Sequence, residues 1–194
     1  MGTLFVVGTP IGNLEDITAR AARVLGQVQL VAAEDTRVTR RLLTHLGIRV
    51  PLVSYHEHNQ QARIPRLLEA LASGDVALVS DAGMPAVSDP GSELVSRAAA
   101  AGFRVESVPG VSALTTALAA SGLSADAFLF LGFLPRRSKG RRQSLRAASS
   151  LPLTLVAFEA PHRLRATLKD MLAELGDREV AVCRELTKLH EEVF

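Results

Sequence analysis

Short apolar runs alternate with amphipathic stretches along most of the chain. Thr3 to Val7, Leu30 to Ala33, Leu52 to Tyr55, Val76 to Val79 and Arg104 to Val108 are dense in β-branched and aliphatic residues and read as buried strands. Between them the apolar positions take helical spacing. Leu14, Ile17, Ala21, Leu25 and Val28 mark the face of a first helix, capped by Asn13. A basic helix follows Asp35-Thr36-Arg37 and ends at Gly47. Further helices are predicted over Ile64 to Ser73, Ser92 to Ala101 and Ala113 to Gly122. Strands alternating with helices predict parallel pairing through βαβ crossovers.

After Gly122 the pattern restarts. Phe128 to Leu134 and Leu153 to Phe158 read as strands, separated by a basic segment whose Ser138 and Gly140 suggest a flexible loop. A helix is expected over His162 to Gly176, with Leu164, Leu168, Met171, Leu172 and Leu175 inward. Glu179 to Cys183 reads as a last strand and Arg184 to Phe194 as a polar tail. The expected fold class is α/β in two domains: a mainly parallel sheet in residues 1–122, and a second α/β domain in residues 123–194 with few strands, hence incomplete.

The most informative loop is Ser80 to Gly91, Ser-Asp-Ala-Gly-Met-Pro-Ala-Val-Ser-Asp-Pro-Gly. It leaves the carboxyl end of a strand, where open α/β sheets bind ligands, and it is long for such a connection. Gly8 to Asn13 and Pro109 to Ala113 occupy equivalent places. Neither Gly8 to Asn13 nor Ser80 to Gly91 matches the Gly-rich dinucleotide fingerprint or the Gly-Lys phosphate loop, which disfavours an ordinary NAD enzyme or nucleotide hydrolase.

Composition narrows this further. The 194 residues are 47% hydrophobic but only 4% aromatic, so the core must be aliphatic. A lone cysteine, Cys183, forbids an internal disulfide and points to a reducing, cytoplasmic setting. The stretch Gly110 to Leu134 is poor in charge, yet Ser121-Gly122, Ser124 and Asp126 interrupt it, so a helix, a turn and a strand fit better than a membrane span. His56 and His58 flank Glu57 without an obvious third ligand, and no metal is assigned. Net charge is +2, but Arg136, Arg137, Lys139, Arg141, Arg142 and Arg146 crowd one segment without an acid, which suggests a phosphate-bearing partner.

Several segments carry a resemblance over essentially the whole chain. Phe5 to Thr18, Ala33-Glu34-Asp35-Thr36-Arg37, Ser54-Tyr55-His56-Glu57-His58-Asn59, Ser80 to Gly91 and Pro109 to Ala113 take part in it. So do Gly132 to Arg136, Phe158 to Arg163 and Cys183 to Lys188. They resemble the ribosomal RNA small subunit methyltransferases I of the tetrapyrrole methylase superfamily. The resemblance implies a two-domain fold, S-adenosylmethionine as cofactor, and 2′-O-methylation of a cytidine ribose in the decoding region of 16S ribosomal RNA. It implies a homodimer with the small ribosomal subunit as partner and no membrane. It places Pro10, Ile11, Asp81, Ala82, Gly83, Met84, Ser112, Ala113, Phe158 and Glu159 at the cofactor. Relatives continue beyond Phe194, so a truncated carboxyl end and an inactive chain are expected.

Glu159 and His162 are the preferred candidates for the base that takes the ribose proton. Arg37, Arg136, Arg137, Lys139, Arg141, Arg142 and Arg163 are assigned to RNA. Two alternatives stay open: methylation of a tetrapyrrole-like small molecule on the same scaffold, and a non-catalytic RNA-binding protein.

Overall fold

The computed structural model describes residues 1–194. Their contacts divide into two compact units, Met1–Ala113 with Leu186–Leu189, and Leu114–Glu185 with His190–Phe194. The division falls at Ala113, nine residues before the expected boundary at Gly122.

Unit 1 is built on five strands, β1 (Thr3–Val7), β2 (Leu30–Ala33), β3 (Leu52–Ser54), β4 (Val76–Val79) and β5 (Arg104–Val108). All pair in parallel, in the order β3-β2-β4-β1-β5. The side-chain period of two sorts them to the two faces. Leu30, Ala32, Val76 and Leu78 pack with Ile64, Leu67, Leu71, Leu94 and Ala98, from helices α3 (Gln60–Ser73) and α4 (Ser92–Ala100). Val31, Ala33, Ala77 and Val79 pack on the other side with Ala21, Val24, Leu25 and Leu43, from α1 (Ala19–Gln27) and α2 (Thr36–His45). β2 and β4 are therefore buried on both faces, which is why their sequences show no polar alternation. Each fully buried leucine of this aliphatic core contributes about 1.5–3 kcal/mol relative to exposure.

The strand order places the site. β1 and β4 are neighbours, but the chain leaves β1 toward α1 and leaves β4 toward α4, on opposite faces. Loops diverging from adjacent strand ends open a crevice between them.

Asn13 does not cap α1 as expected. Its side chain accepts from Glu15 N–H and starts a 3-10 turn, Leu14–Asp16, while Thr18 caps α1 by accepting from Ala21 N–H.

Unit 2 holds a parallel pair, β6 (Phe128–Phe133) and β7 (Thr154–Phe158). The basic segment between them is not a loop. It forms helix α6 (Ser138–Ala148), which packs on α7 (Leu164–Leu175). Apart from Ser138, Gly140 and Ser144, its residues are good helix formers, and the acids absent from the segment itself come from α7. Ser138 Oγ and the Arg141 guanidinium both donate to Asp170, while Arg142 and Arg146 both reach Glu174. A 3-10 turn, Pro161–Arg163, precedes α7. Leu172, expected inward, is 58% exposed.

The expected strand over Glu179 to Cys183 shrinks to β8 (Cys183–Arg184), and the expected tail folds back. β9 (Glu192–Val193) pairs antiparallel with β8, extended by Val182 N–H to Phe194 O at 2.9 Å and Phe194 N–H to Val182 O at 3.1 Å. A hairpin partner so near the end of the chain leaves no periodic signal in such a polar sequence.

Candidate functional site

Three loops at the carboxyl ends of β1, β4 and β5 interlock within unit 1. Thr9 N–H donates to Gly83 O at 2.9 Å, and Gly83 N–H returns to Thr9 O at 3.0 Å. The Thr9 hydroxyl, 4% exposed, donates to Ser80 O at 3.2 Å. Gly8 N–H bonds Val108 O at 3.0 Å, and a Cβ on Gly8 would fall 2.8 Å from Gly110 Cα and 2.7 Å from Met84 Sδ. Only glycine permits this approach of two backbones. Gly83 takes φ +79°, 3.5 Å from Ile11 Cγ2 and 3.6 Å from Val111 O for an added Cβ.

The predicted cofactor residues of unit 1 thus gather on one rim. Pro10, Ile11, Asp81, Met84, Ser112 and Ala113 are half-buried there, Ala82 is exposed and Gly83 is buried. Within the β4 loop Ala86 and Ser88 hold φ 67° and 62°, a left-handed backbone uncommon for non-glycine residues. Phe158 and Glu159 belong to unit 2.

The β2 and β4 loops are tied by carboxylates. Asp81 Oδ1 accepts from Asp35 N–H at 2.9 Å, and Asp81 N–H donates to Glu34 Oε2 at 3.3 Å. Burial pushes the Asp81 carboxyl up, partly offset by the Asp35 N–H. Burial raises Glu34 as well, with the charges of Asp81 and Asp89 adding to it, and raises Asp89. Asp35 is the contrast: hydrogen bonds from Arg37 hold its carboxyl down to about 2.

In unit 2, the Glu159 carboxylate is held by three donors. Arg163 approaches its Oε1 at 2.6 Å, Ala160 N–H donates to Oε1 at 2.8 Å, and the Thr167 hydroxyl donates to Oε2 at 2.5 Å. Burial pushes its carboxyl up, but these hydrogen bonds outweigh it and leave the group below its ordinary value. That is the opposite of what a general base requires. His162 sits exposed on the Pro161–Arg163 turn. Phe158 packs its ring edge-on against Phe130, with centroids 4.9 Å apart.

The basic residues fall into two groups. Arg141 is 4% exposed; its guanidinium is held by Asp170 and also donates to Arg136 O at 3.3 Å. Arg142 is committed to Glu174 at 2.5 Å, Arg163 to Glu159 and to Leu134 O, and Arg37 to Asp35. Arg136, Arg137 and Lys139 are exposed and form no ion pair. The assignment of Arg141 to RNA is therefore corrected: it is a buried strut between α6 and α7. Spacing in sequence did not reveal it, because Asp170 lies 29 residues away.

Thr9, Glu34 and Gly110 were missed as individual residues. The paired glycines at equivalent strand ends were the available signal for Gly8 and Gly110.

Comparison with known proteins is consistent along the whole chain. The profile of the tetrapyrrole (corrin/porphyrin) methylases matches residues 3–194. A protein of Halalkalibacterium halodurans named ribosomal RNA small subunit methyltransferase I is 55% identical over 192 residues, covering 98% of this chain and 66% of that protein. Proteins of the same name from Pseudomonas aeruginosa and Thermotoga maritima are 53% and 52% identical, with 69% and 87% of their lengths covered. The chain thus spans about two thirds of two of these relatives and most of the third. Among solved structures, uroporphyrin-III-C-methyltransferase from Thermus thermophilus superposes with TM-score 0.68 at 27% identity, over 100% of this chain and 84% of that one. Diphthine synthase shares the fold, with TM-score 0.76 at 18% identity, over 100% of this chain and 80% of that one. The chain belongs to the tetrapyrrole methylase family, among the ribosomal RNA small subunit methyltransferases I, and its methyl donor is S-adenosylmethionine.

Proposed function

We propose that the chain transfers a methyl group from S-adenosylmethionine to the ribose 2′-hydroxyl of a cytidine in the decoding region of 16S ribosomal RNA. The observation that carries this is the interlocked rim of unit 1, in a chain about half identical to named ribosomal RNA methyltransferases. Small-molecule methylation is not favoured, because these relatives match along nearly the entire chain.

The rim fits such a donor. The Gly8–Gly110 approach keeps side chains out and leaves backbone groups on the rim. Ile11 and Met84 offer apolar contact, and half-buried Asp81 offers a carboxylate that can accept a hydrogen bond. Pro10, Ile11, Asp81 to Met84, Ser112 and Ala113 would hold the donor. Phe158 and Glu159 are carried in this role by the resemblance alone. When bound, the sulfonium supplies an activated methyl carbon and leaves as a neutral thioether. The chain's own task is then to align the ribose oxygen and to accept its proton. Alignment is the larger contribution, up to about 7–11 kcal/mol of the barrier. His162 is the base in this reading, because its ring is exposed whereas Glu159 is already held by Arg163, Ala160 N–H and Thr167. Arg136, Arg137 and Lys139 serve the RNA phosphates. The protein is proposed to act in the cytoplasm as a homodimer; exposed Phe133, Leu172 and Phe194 support a further contact surface. No helix is long and apolar enough to cross a membrane.

The test is transfer of labelled methyl groups from S-adenosylmethionine to small ribosomal subunits, with the product mapped by resistance to alkaline cleavage. One protected cytidine in the decoding region is expected. Label on a base, or on RNA-free small molecules only, would overturn the reading.

A further inference from the structure

Leu186–Leu189 folds with unit 1, although the residues on both sides of it fold with unit 2. It lies against Gly12 in the loop that follows β1. A Cβ on Gly12 would come 2.5 Å from Lys188 Cγ and 2.9 Å from Thr187 Oγ1, closer than real Cβ atoms approach their neighbours, and a tight 3.1 Å from Leu186 O. Gly12 has no left-handed backbone angle to explain it, so space alone demands glycine here. The segment is itself held in an uncommon shape, with Thr187 at φ 67° and Glu185, just before it, at φ 51°. Such angles persist only where surrounding contacts over-determine them. Gly12 directly follows Pro10 and Ile11, and Ile11 lies against Gly83 on the rim.

We propose that Leu186–Leu189 is a positioning strap. The stem of Lys188 and the backbone of Leu186 press on Gly12, fix the path of Pro10 and Ile11, and thereby set affinity for the methyl donor. The contact with Gly12 is made by the methylene stem of Lys188, which is a positioning residue in this reading. The inference rests on the cofactor reading of the rim given above. It concerns how donor affinity is set and leaves the RNA contacts alone.

The experiment is calorimetric titration of S-adenosylhomocysteine into the whole chain, for the native protein, Gly12→Ala, Lys188→Ala, Lys188→Met and the double variant Gly12→Ala/Lys188→Ala, with KM for donor and for RNA and kcat measured alongside. Gly12→Ala is expected to weaken the donor about tenfold or more, since small misplacements at a site are costly. Lys188→Ala should weaken it by a smaller factor and Lys188→Met should restore it, because methionine keeps the stem. In the Lys188→Ala background the Gly12→Ala loss should shrink, as contacting residues couple. The change should appear in donor KM and not in RNA KM. Equal losses for Lys188→Met and Lys188→Ala, or a Gly12→Ala loss that is unchanged in the double variant, would overturn the strap. The lysine variants add no atom beside Gly12 and decide the matter even where Gly12→Ala fails to fold. A native chain that binds no S-adenosylhomocysteine would remove the cofactor reading itself; a native chain that binds, with variants that bind equally, would remove only the strap.

Discussion

Thr9 and Gly83 exchange both of their backbone hydrogen bonds, at 2.9 and 3.0 Å, across loops that leave neighbouring strands toward opposite faces of the sheet. This two-rung ladder sets the separation of the two loops. The Thr9 hydroxyl adds a third tie to Ser80 O.

Replacing Gly8 tests how tightly that separation is set. An alanine Cβ would meet the Gly110 backbone at 2.8 Å. Backbone cannot rotate away as a side-chain end can, so Gly8→Ala is expected to cost about 1–3 kcal/mol. Denaturant unfolding would read the loss as a lower midpoint, together with weaker binding of S-adenosylhomocysteine. Native stability in this variant would mean that the loops are free to part.

Arg141 and the arginines four and five residues before it should behave in opposite ways. Arg141→Ala removes the partner of buried Asp170 and should cost about 3–5 kcal/mol, lowering the thermal midpoint. Arg136→Ala and Arg137→Ala remove exposed, unpaired cations and should leave stability within about 0.5 kcal/mol. Each should instead reduce the slope of log affinity for RNA against log salt by about 0.7–0.9.

Glu34 predicts a pH dependence. Its carboxyl is raised by burial above the ordinary 4.5, so the folded state favours the protonated form. The stability gained from this is fully present below the unfolded value and is lost as pH rises through the folded value. At pH 7 the charged group therefore opposes folding. Glu34→Gln keeps an acceptor for Asp81 N–H and should raise the thermal midpoint at pH 7, a gain that disappears at acid pH where Glu34 is protonated.

Glu159 works in the opposite sense. Burial raises its carboxyl, but the bonds from Arg163, Thr167 and Ala160 prevail and lower it. Its stabilisation is present above the unfolded value and lost as pH falls through the folded one. Glu159→Gln should destabilise the chain at pH 7 and flatten the acid limb of its stability curve. His162→Ala should leave stability unchanged while lowering kcat by about 10²-fold or more. A loss of kcat without loss of stability in Glu159→Gln would reverse these roles.

The parallel sheet of unit 1 was legible because β2 and β4 are buried on both faces and therefore read as unbroken apolar runs. The rim was legible for a related reason: close backbone approach at Gly8 and the left-handed angle at Gly83 both call for glycine. What stayed hidden were pairings over long sequence distance between ordinary residue types. Arg141 and Arg136 look alike in sequence, and only Asp170 on a later helix makes one a strut and leaves the other a free cation. Glu159 looked like a base until Arg163 and Thr167 closed around it. The last eleven residues read as a tail because a two-residue strand pair has no period, and the pressure of Leu186 and Lys188 on Gly12 exists only once the chain returns across some 175 positions. Local composition determines which elements form; the charges and contacts that decide what a side chain does are set by neighbours that only packing supplies.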